Sequence, residues 1–252
     1  MTGKSVVLTG PHSISAVLEH KRGRLVRVYY LAAVAKRRFD PLLAQAREQG
    51  VDCQLSDREG LDALAGGERH QGLVAEFEPA NLMTVKDLPG LIKDQPDDAL
   101  ILILDNIQDP HNLGACIRSA EAAGATAVIF PRDKSAPLSA AARRAAAGAA
   151  EVLPLIEVTN LARVLRDLKQ QGIWVAGTCD QARDSIYESK LGGPLALVLG
   201  NEGSGIRQLT SKHCDFLIKI PMQGMVSSLN VSVAAAVCLF EIQRQRQAEA
   251  AS

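Results

Sequence analysis

The chain of 252 residues can form one large domain or two of ordinary size, and its hydrophobic content of 47 % is enough for packed cores. Five cysteines without a Cys-x-x-Cys pair favour neither a disulfide framework nor a zinc site, so we expect a reducing, cytoplasmic setting and no bound metal. A formal net charge of zero argues against a nucleic-acid partner, and no apolar run approaches the roughly 18 residues of a membrane helix.

The first 77 residues are expected to form a small α/β domain. Short apolar runs alternate there with a helical pattern, and Pro41 and Gly50 mark the start of that helix and the position just past its end. Apolar runs that predict strands cover 25–31, 51–55 and 73–77, and the helix is predicted over 41–49.

Positive charge is concentrated at the start of the chain. Residues 1–50 hold nine Lys and Arg residues against three acidic residues, so this part carries +6 and the remainder −6. Such an asymmetry points to a module that faces a polyanion. A solvated basic surface without a partner explains the same charges equally well.

A linker is predicted over 78–98, where three prolines and several polar residues leave room for at most one short helical turn. A second domain is expected over 99–252. Its short apolar runs rarely alternate with polar residues and are mostly separated by helical patterns, which predicts a parallel α/β sheet buried on both faces. The predicted strands are 100–104, 127–130, 152–156, 173–176, 195–199 and 216–220, and the predicted helices are 113–123, 137–149, 160–171 and 230–247.

Ligands of open parallel sheets bind beyond the carboxyl ends of the strands, and three loops expected there are unusual. The loop after Leu104 leads into Asn112, Gly114 and Arg118. A helix that Asn112 caps and that carries Arg118 on its surface explains this segment without a function. Taken alone, the segment is best interpreted in that way.

The loop after Leu199 is rich in glycine and runs from Gly200 to Gly205. Its spacing matches neither the dinucleotide fingerprint nor the phosphate-binding loop of nucleotide hydrolases, which also requires a lysine. Glu202 within the loop would repel a phosphate. We therefore expect main-chain groups to approach a neutral or cationic ligand, such as a sulfonium, and a nucleotide hydrolase is disfavoured.

The third loop, after Ile220, is a polar, glycine-containing entrance to a long apolar helix. Ser228 or Asn230 can cap that helix, which is a sufficient structural explanation for either residue alone. It does not explain why a helix of small residues, from Val231 to Val237, has so polar an entrance. Small residues permit close approach of another chain or of a crossing loop.

Together, the three segments resemble the three signature motifs of the SpoU methyltransferases, which lie within the trefoil-knotted SPOUT superfamily. The motifs are Asn-x-Gly-x-x-x-Arg, Leu-Gly-x-Glu, and Ile-Pro-Met-x-Gly followed by Ser-Leu-Asn-Val-Ser. The matching positions are Asn112, Gly114 and Arg118, then 199–203, then 220–234. One departure is Ala147, since family members often have Ser or Cys before Gly148-Ala149; we expect it to affect packing more than chemistry.

The resemblance implies a C-terminal parallel-sheet domain with a deep trefoil knot and a small N-terminal L30e-like domain that binds RNA. The N-terminal likeness rests on Gly10-Pro-His12 before a helix and on His70-Gln-Gly72 before a strand. A homodimer, with the active site completed across its interface, is implied as well. Knotted loops of the family hold S-adenosylmethionine through main-chain groups, which here implies Gly200, Ile220 and Leu229, with Thr178 at the end of its strand as a further contact.

The implied activity is 2′-O-methylation of a guanosine ribose in the P loop of 23S ribosomal RNA. We assign Arg118 to the neighbouring phosphate and the developing alkoxide, because a guanidinium with a pKa above about 12 is a poor proton acceptor. Asn112, Ser228 and Asn230 are expected to orient ribose and phosphate, and Glu202 to hold its loop or Arg118. The predicted contacts to the RNA backbone are Arg22, Arg37, Arg38, Arg143 and Arg144.

Two other functions stay open. A SpoU enzyme that methylates transfer RNA usually lacks the L30e-like domain and relies on basic terminal extensions, whereas this chain has only Arg244-Gln-Arg246 near its end. A non-catalytic RNA-binding assembly factor of the ribosome could use the same scaffold. The presence of Asn112, Arg118 and Glu202 speaks against that factor.

Overall fold

The computed structural model describes residues 5–20, 23–32, 39–203 and 205–250, and it divides into two compact units. The first unit comprises the residues up to 81 together with 147–152. The second comprises 82–146 and the residues from 153 onward.

The first unit is a mixed sheet with helices. Its strands lie in the order β1-β4-β2-β3, in which β4 runs antiparallel to both of its neighbours and β3 runs parallel to β2. In chain order the elements are β1 (Val6–Thr9), α1 (Pro11–His20), β2 (Arg24–Leu31), α2 (Asp40–Glu48), β3 (Asp52–Ser56), α3 (Arg58–Ala65) and β4 (Leu73–Glu78).

The core of this unit lies between the sheet and two of the helices. Ile14 and Leu18 of α1 and Leu43 of α2 are buried together with Val28 and Phe77 of the strands. The predicted strands and the predicted helix of this region are all present to within one residue at their starts.

The second unit is a parallel sheet, as predicted. Its strands lie in the order β7-β6-β5-β10-β8-β11-β9, and each neighbouring pair is parallel. In chain order the elements are α4 (Leu88–Asp94), β5 (Leu100–Leu104), α5 (Pro110–Ala122), β6 (Ala127–Pro131), α6 (Ala140–Ala145), α7 (Ala149–Val152, which groups with the first unit), β7 (Leu155–Val158), α8 (Leu161–Gln170), β8 (Trp174–Thr178), β9 (Asp184–Ser185), β10 (Leu195–Leu199), α9 (Gln208–Ser211), β11 (Phe216–Lys219) and α10 (Val231–Ala250).

The sheet is buried on both faces. Ile101 and Ile103 of β5 share a core with Val164 and Leu168 of α8. Leu102 is equally buried but points to the opposite face, because successive side chains of a strand alternate. This is why the strand sequences read as continuous apolar runs.

The predicted helix over 137–149 is divided into α6 and α7. The division lies at Ala147 and Gly148, whose φ angles are 51° and 98°. Left-handed residues cannot continue a right-handed helix. The following strand accordingly begins at Leu155, three residues later than the predicted start at Val152.

Residues 82–98 pack with the second unit. Leu88 and Ile92 of α4 are buried in the same core as β5 and α8, and Met83 forms an isolated parallel bridge with Ile156 of β7. In the parts of the chain that the structure describes, the search for helices found none of the length and apolar character that a bilayer crossing demands.

Candidate functional site

The sheet order creates a crevice at its carboxyl edge. β10 lies between β5 and β8, so the chain leaves the edge in different directions on either side of it, and such switch points are where open sheets bind ligands. The loops that follow β8, β10 and β11 enclose a cavity of about 310 Å³ here. Six predicted site residues line it, namely Thr178, Gly200, Glu202, Ile220, Ser228 and Leu229.

The glycine loop after β10 is a closed hairpin. The main-chain N–H of Asn201 donates to the carbonyl of Gly205 at 3.1 Å, and the N–H of Gly205 donates back at 2.8 Å. Gly200 faces the backbone of Gly205 and Ile206 so closely that a Cβ there would overlap main-chain atoms. The hairpin therefore requires glycine at position 200.

Glu202 connects this hairpin to two helices. Its Oε1 accepts hydrogen bonds from Nδ2 of Asn112 at 3.0 Å, from Nδ2 of Asn230, and from the main-chain N–H of Val231 at 3.1 Å. Asn230 also donates to Oδ1 of Asn112 at 3.0 Å. Three residues from the three predicted motifs thus form one hydrogen-bonded cluster.

The start of α5 corrects one expectation about Asn112. The N-cap is Asp109, whose carboxylate accepts from the N–H of His111 at 2.9 Å, so Asn112 lies inside the helix and is not its cap. Pro110 occupies the first helical position, and an Asp-Pro pair is a signal that the sequence offers for this start. The side chain of Asn112 is consequently available for Glu202.

Gly114 has a packing role. A Cβ at this position would overlap the carbonyl oxygen of Ala142 and lie 2.6 Å from the Cβ of Ala145. Helices α5 and α6 therefore approach more closely at this point than a larger residue would allow.

Of the two candidate caps for α10, Ser228 and Asn230, it is Asn230 that caps the helix. Its Oδ1 accepts from the N–H of Ser232 at 3.0 Å, while its Nδ2 binds Glu202 and Asn112. Ser228 is exposed and lines the cavity. One asparagine thus serves the helix with its oxygen and the cluster with its nitrogen.

Arg118 is not part of this hydrogen-bonded cluster in the described part of the chain. It is exposed on α5, and within the described ranges no hydrogen bond or ion pair joins it to Glu202. Asn112 and Asn230 occupy the oxygen of Glu202 instead. Glu202 was expected to hold either its own loop or Arg118, and its contacts are those that hold the loop.

The residues predicted to contact RNA are only partly described. Arg22, Arg37 and Arg38 lie outside the described residues. Arg143 is half-buried and Arg144 exposed on α6. Their contact with RNA stays a prediction.

The basic surplus of residues 1–50 is offset within the first unit. Arg24 pairs with Glu78 at 2.9 Å and Arg27 with Asp52 at 2.8 Å. Over residues 1–81 and 147–152, eleven Lys and Arg residues stand against eleven acidic residues, which leaves no net charge. Charge asymmetry along the chain therefore overstates the charge of this unit.

Several lining residues were not singled out in the sequence, among them Cys179, Asp180 and Lys219. Cys179 and Asp180 follow β8, and Lys219 ends β11. The sequence could have identified them as site candidates, because each lies at or just after the carboxyl end of a predicted strand. Asp180 and Glu202 give the cavity two acidic side chains and Lys219 gives it a basic one.

Comparison with known proteins covers both units. The family model described as SpoU rRNA Methylase matches residues 99–240, and the model described as RNA 2'-O ribose methyltransferase substrate binding matches residues 7–83. The chain is 52 % identical over 238 residues to the 23S rRNA (guanosine-2'-O-)-methyltransferase RlmB of Haemophilus influenzae, spanning 94 % of this chain and 96 % of that one. It is 50 % identical over 244 residues to the protein of the same name from Escherichia coli, spanning 96 % and 99 %.

Solved structures show the same architecture. The SpoU methyltransferase AviRb from Streptomyces viridochromogenes, in complex with AdoMet, has a TM-score of 0.78 at 24 % identity and covers 96 % of this chain and 91 % of its own. A crystal structure of an RNA 2'-O ribose methyltransferase has a TM-score of 0.76 at 26 % identity, with 96 % and 89 % covered. The A. aeolicus TrmH/SpoU tRNA modifying enzyme has a TM-score of 0.54 at 28 % identity and covers only 66 % of this chain, with 84 % of its own.

Proposed function

The chain belongs to the SpoU rRNA methylase family, and from this membership we propose that it transfers a methyl group from S-adenosylmethionine to the ribose 2′-hydroxyl of a guanosine in 23S ribosomal RNA. Identity of about half over nearly the full length of relatives with that named activity supports the substrate. The observation that carries the proposal is the convergence of Thr178, Gly200, Ile220 and Leu229 on one cavity.

The cavity suits S-adenosylmethionine, which supplies the methyl group when bound. Its walls offer main-chain groups at Gly200 and Ile220, and Asp180 and Glu202 place negative charge beside a cationic sulfonium. A phosphate ligand would meet the same acidic groups unfavourably. A volume of about 310 Å³ is within the range of small-molecule sites.

Arg118 is proposed to bind the neighbouring phosphate and the developing alkoxide, so that phosphate or water receives the proton. A planar guanidinium can contact two oxygens at once and stays charged. Asn112, Ser228 and Asn230 orient the ribose and the phosphate. Glu202 holds Asn112 and Asn230 in place for that work.

The Arg118→Lys variant tests this role. We expect methyl transfer to fall by roughly a hundredfold, because lysine keeps the charge but loses the two-point contact. Affinity for S-adenosylmethionine, measured by calorimetry, should stay unchanged. Transfer at close to the wild-type rate would contradict the proposed contact.

We also propose that the protein acts as a homodimer. α10 presents Val233 and Phe240 on one face, two turns apart, and both are exposed. Met225 and Val226 before the helix are exposed as well. Burial of such apolar side chains drives association. A Phe240→Arg variant should sediment as a monomer, whereas Leu209→Arg, at another exposed apolar residue, should not.

Residues 1–77 are proposed as the RNA substrate-binding domain and 99–252 as the catalytic domain with its trefoil knot. The match of residues 7–83 to the substrate-binding model supports the first assignment. The tRNA modifying enzyme aligns with only 66 % of this chain, which favours ribosomal RNA over transfer RNA.

Mapping of 2′-O-methyl groups in cells that lack the protein tests the whole proposal. We expect one guanosine of 23S ribosomal RNA to lose its methyl group and to regain it when the wild-type chain is restored. Loss from a transfer RNA instead would favour the alternative enzyme. An unchanged map together with no binding of S-adenosylmethionine would favour a non-catalytic assembly factor.

A further inference from the structure

Both ends of the glycine hairpin are fastened to a single residue, Asp105, at the end of β5. The main-chain N–H of Asp105 donates to the carbonyl of Leu199 at 2.7 Å, where the hairpin begins. Its carboxylate accepts from the N–H of Arg207 at 3.0 Å and from Nε of Arg207 at 2.6 Å, where the hairpin ends. Asp105 therefore fixes the separation of the two stems.

Asp105 and Arg207 form an ion pair in which the carboxylate is fully buried. A buried carboxylate is tolerated only when it is paired and hydrogen-bonded. The guanidinium of Arg207 supplies the charge, and the main chain of Arg207 supplies a second donor in a fixed place. Asn106, which follows Asp105, also holds the hairpin, because its carbonyl accepts a hydrogen bond from Nδ2 of Asn201 at 3.4 Å.

Neither member of the pair lines the cavity, whereas the residues between them do. Leu199, Gly200, Gly205 and Ile206 form this wall, and Arg207 follows Ile206 directly. A shift of Arg207 must therefore move the wall. The pair can influence a ligand only through the hairpin that it holds.

We infer that Asp105 and Arg207 are positioning residues that set the affinity of the cavity for S-adenosylmethionine without touching it. This inference rests on the proposed function. A hairpin held in its binding conformation loses less entropy when the ligand binds, so a loosened hairpin binds more weakly. The chemical step depends on other residues and keeps its rate once the cavity is filled.

Arg207→Gln and Arg207→Lys test the inference, with S-adenosylmethionine as the probe in calorimetry. Both keep the main-chain donor to Asp105. We expect the Kd to rise by roughly tenfold in Arg207→Gln and by about threefold in Arg207→Lys, which retains the charge. The KM for S-adenosylmethionine should rise in parallel, and kcat at saturation should change by less than about twofold.

Arg132→Gln is the matched control. It removes another arginine that pairs with a carboxylate at the carboxyl edge of the same sheet, Glu157 at 3.1 Å, but that is not part of the hairpin. Its Kd should equal that of the wild type. The double variant Asp105→Asn, Arg207→Gln should have a Kd no higher than that of Arg207→Gln alone. Once one partner is changed the pair is already broken, because the two residues act as a unit.

The outcomes separate the two proposals. If the wild-type chain binds S-adenosylmethionine and both Arg207→Lys and Arg207→Gln bind it with the wild-type Kd, the inference is wrong. The pair would then stabilise the fold only, even if the Tm falls. A variant with unchanged Kd and reduced kcat would also overturn it. A wild-type chain that binds no S-adenosylmethionine would overturn the proposed function and this inference with it.

Discussion

The two loops that face each other across the cavity are held very differently. The hairpin over 200–207 is closed by two main-chain hydrogen bonds and anchored by Asp105. Residues 221–229 form the second loop, from which Met222, Ser227, Ser228 and Leu229 line the cavity. Among the residues that the structure describes, none of this loop makes a hydrogen bond, and Met225 is fully exposed. We therefore expect the hairpin to keep its conformation without a ligand and the second loop to become ordered when a ligand binds.

The largest expected effect on binding comes from replacing Gly200 in the hairpin, and the same change at Gly224 in the second loop should have almost none. Gly200→Ala should weaken binding of S-adenosylmethionine by on the order of a hundredfold, because the new Cβ overlaps the backbone of Gly205 and Ile206. Gly224→Ala is the matched control in the open loop, where a Cβ meets nothing within 4 Å. Calorimetry should find its Kd within about twofold of the wild type. Equal losses in both variants would remove the distinction between the loops.

Glu202 links the hairpin to Asn230 and Val231, which directly follow the second loop, and removal of its side chain is expected to have the next largest effect. Glu202→Ala removes the acceptor shared by Asn112, Asn230 and Val231, so single-turnover methyl transfer should slow by roughly 10- to 100-fold. Glu202→Gln keeps an oxygen in place and should retain most of the rate. Should both variants transfer methyl groups as fast as the wild type, the cluster has no part in orienting the substrate.

Hydrogen exchange distinguishes the two loops in the wild-type chain. The amides of Asn201 and Gly205 are hydrogen-bonded and should exchange at least about tenfold more slowly than those of 222–229. Addition of S-adenosylmethionine should slow exchange in 222–229 and change the hairpin little. The reverse pattern, measured by mass spectrometry, would show that the hairpin is the wall that becomes ordered.

Thiol labelling gives the smallest expected signal. Iodoacetamide at pH 8 should modify Cys179, which is partly exposed in the cavity, and S-adenosylmethionine should slow that reaction. Burial raises the pKa of Cys116, Cys214 and Cys238 to about 12, so only about one in ten thousand of these thiols is ionised at that pH. Labelling of these three ahead of Cys179 would contradict the described burial.

The parallel sheet and the place of the cavity could be predicted from the sequence. The run Leu195–Leu199 is β10 with the same bounds, because a strand buried on both faces leaves an unbroken apolar segment. Short or half-buried elements give no such signal. β1 (Val6–Thr9) has one buried residue, β9 has two residues in all, and neither was predicted.

The contacts within the site were less predictable than its location. Motif spacing identifies Asn112, Glu202 and Asn230 as polar residues in three loops but does not show that they bond to one another, because that depends on the order of the strands. The same applies to Asp105 and Arg207, which are 102 residues apart and adjacent only after β10 has paired with β5.

The position of β10 has a consequence for synthesis of the chain. β5, β6 and β7 can pair as soon as residue 158 is available, but the partner on the other side of β5 is complete only at residue 199. Until then, the wholly apolar strand Leu100–Leu104 is an open edge, and such edges invite association with other chains. A nascent chain that stalls between these two points would expose this apolar edge, and we expect it to aggregate more readily than a chain that has completed β10.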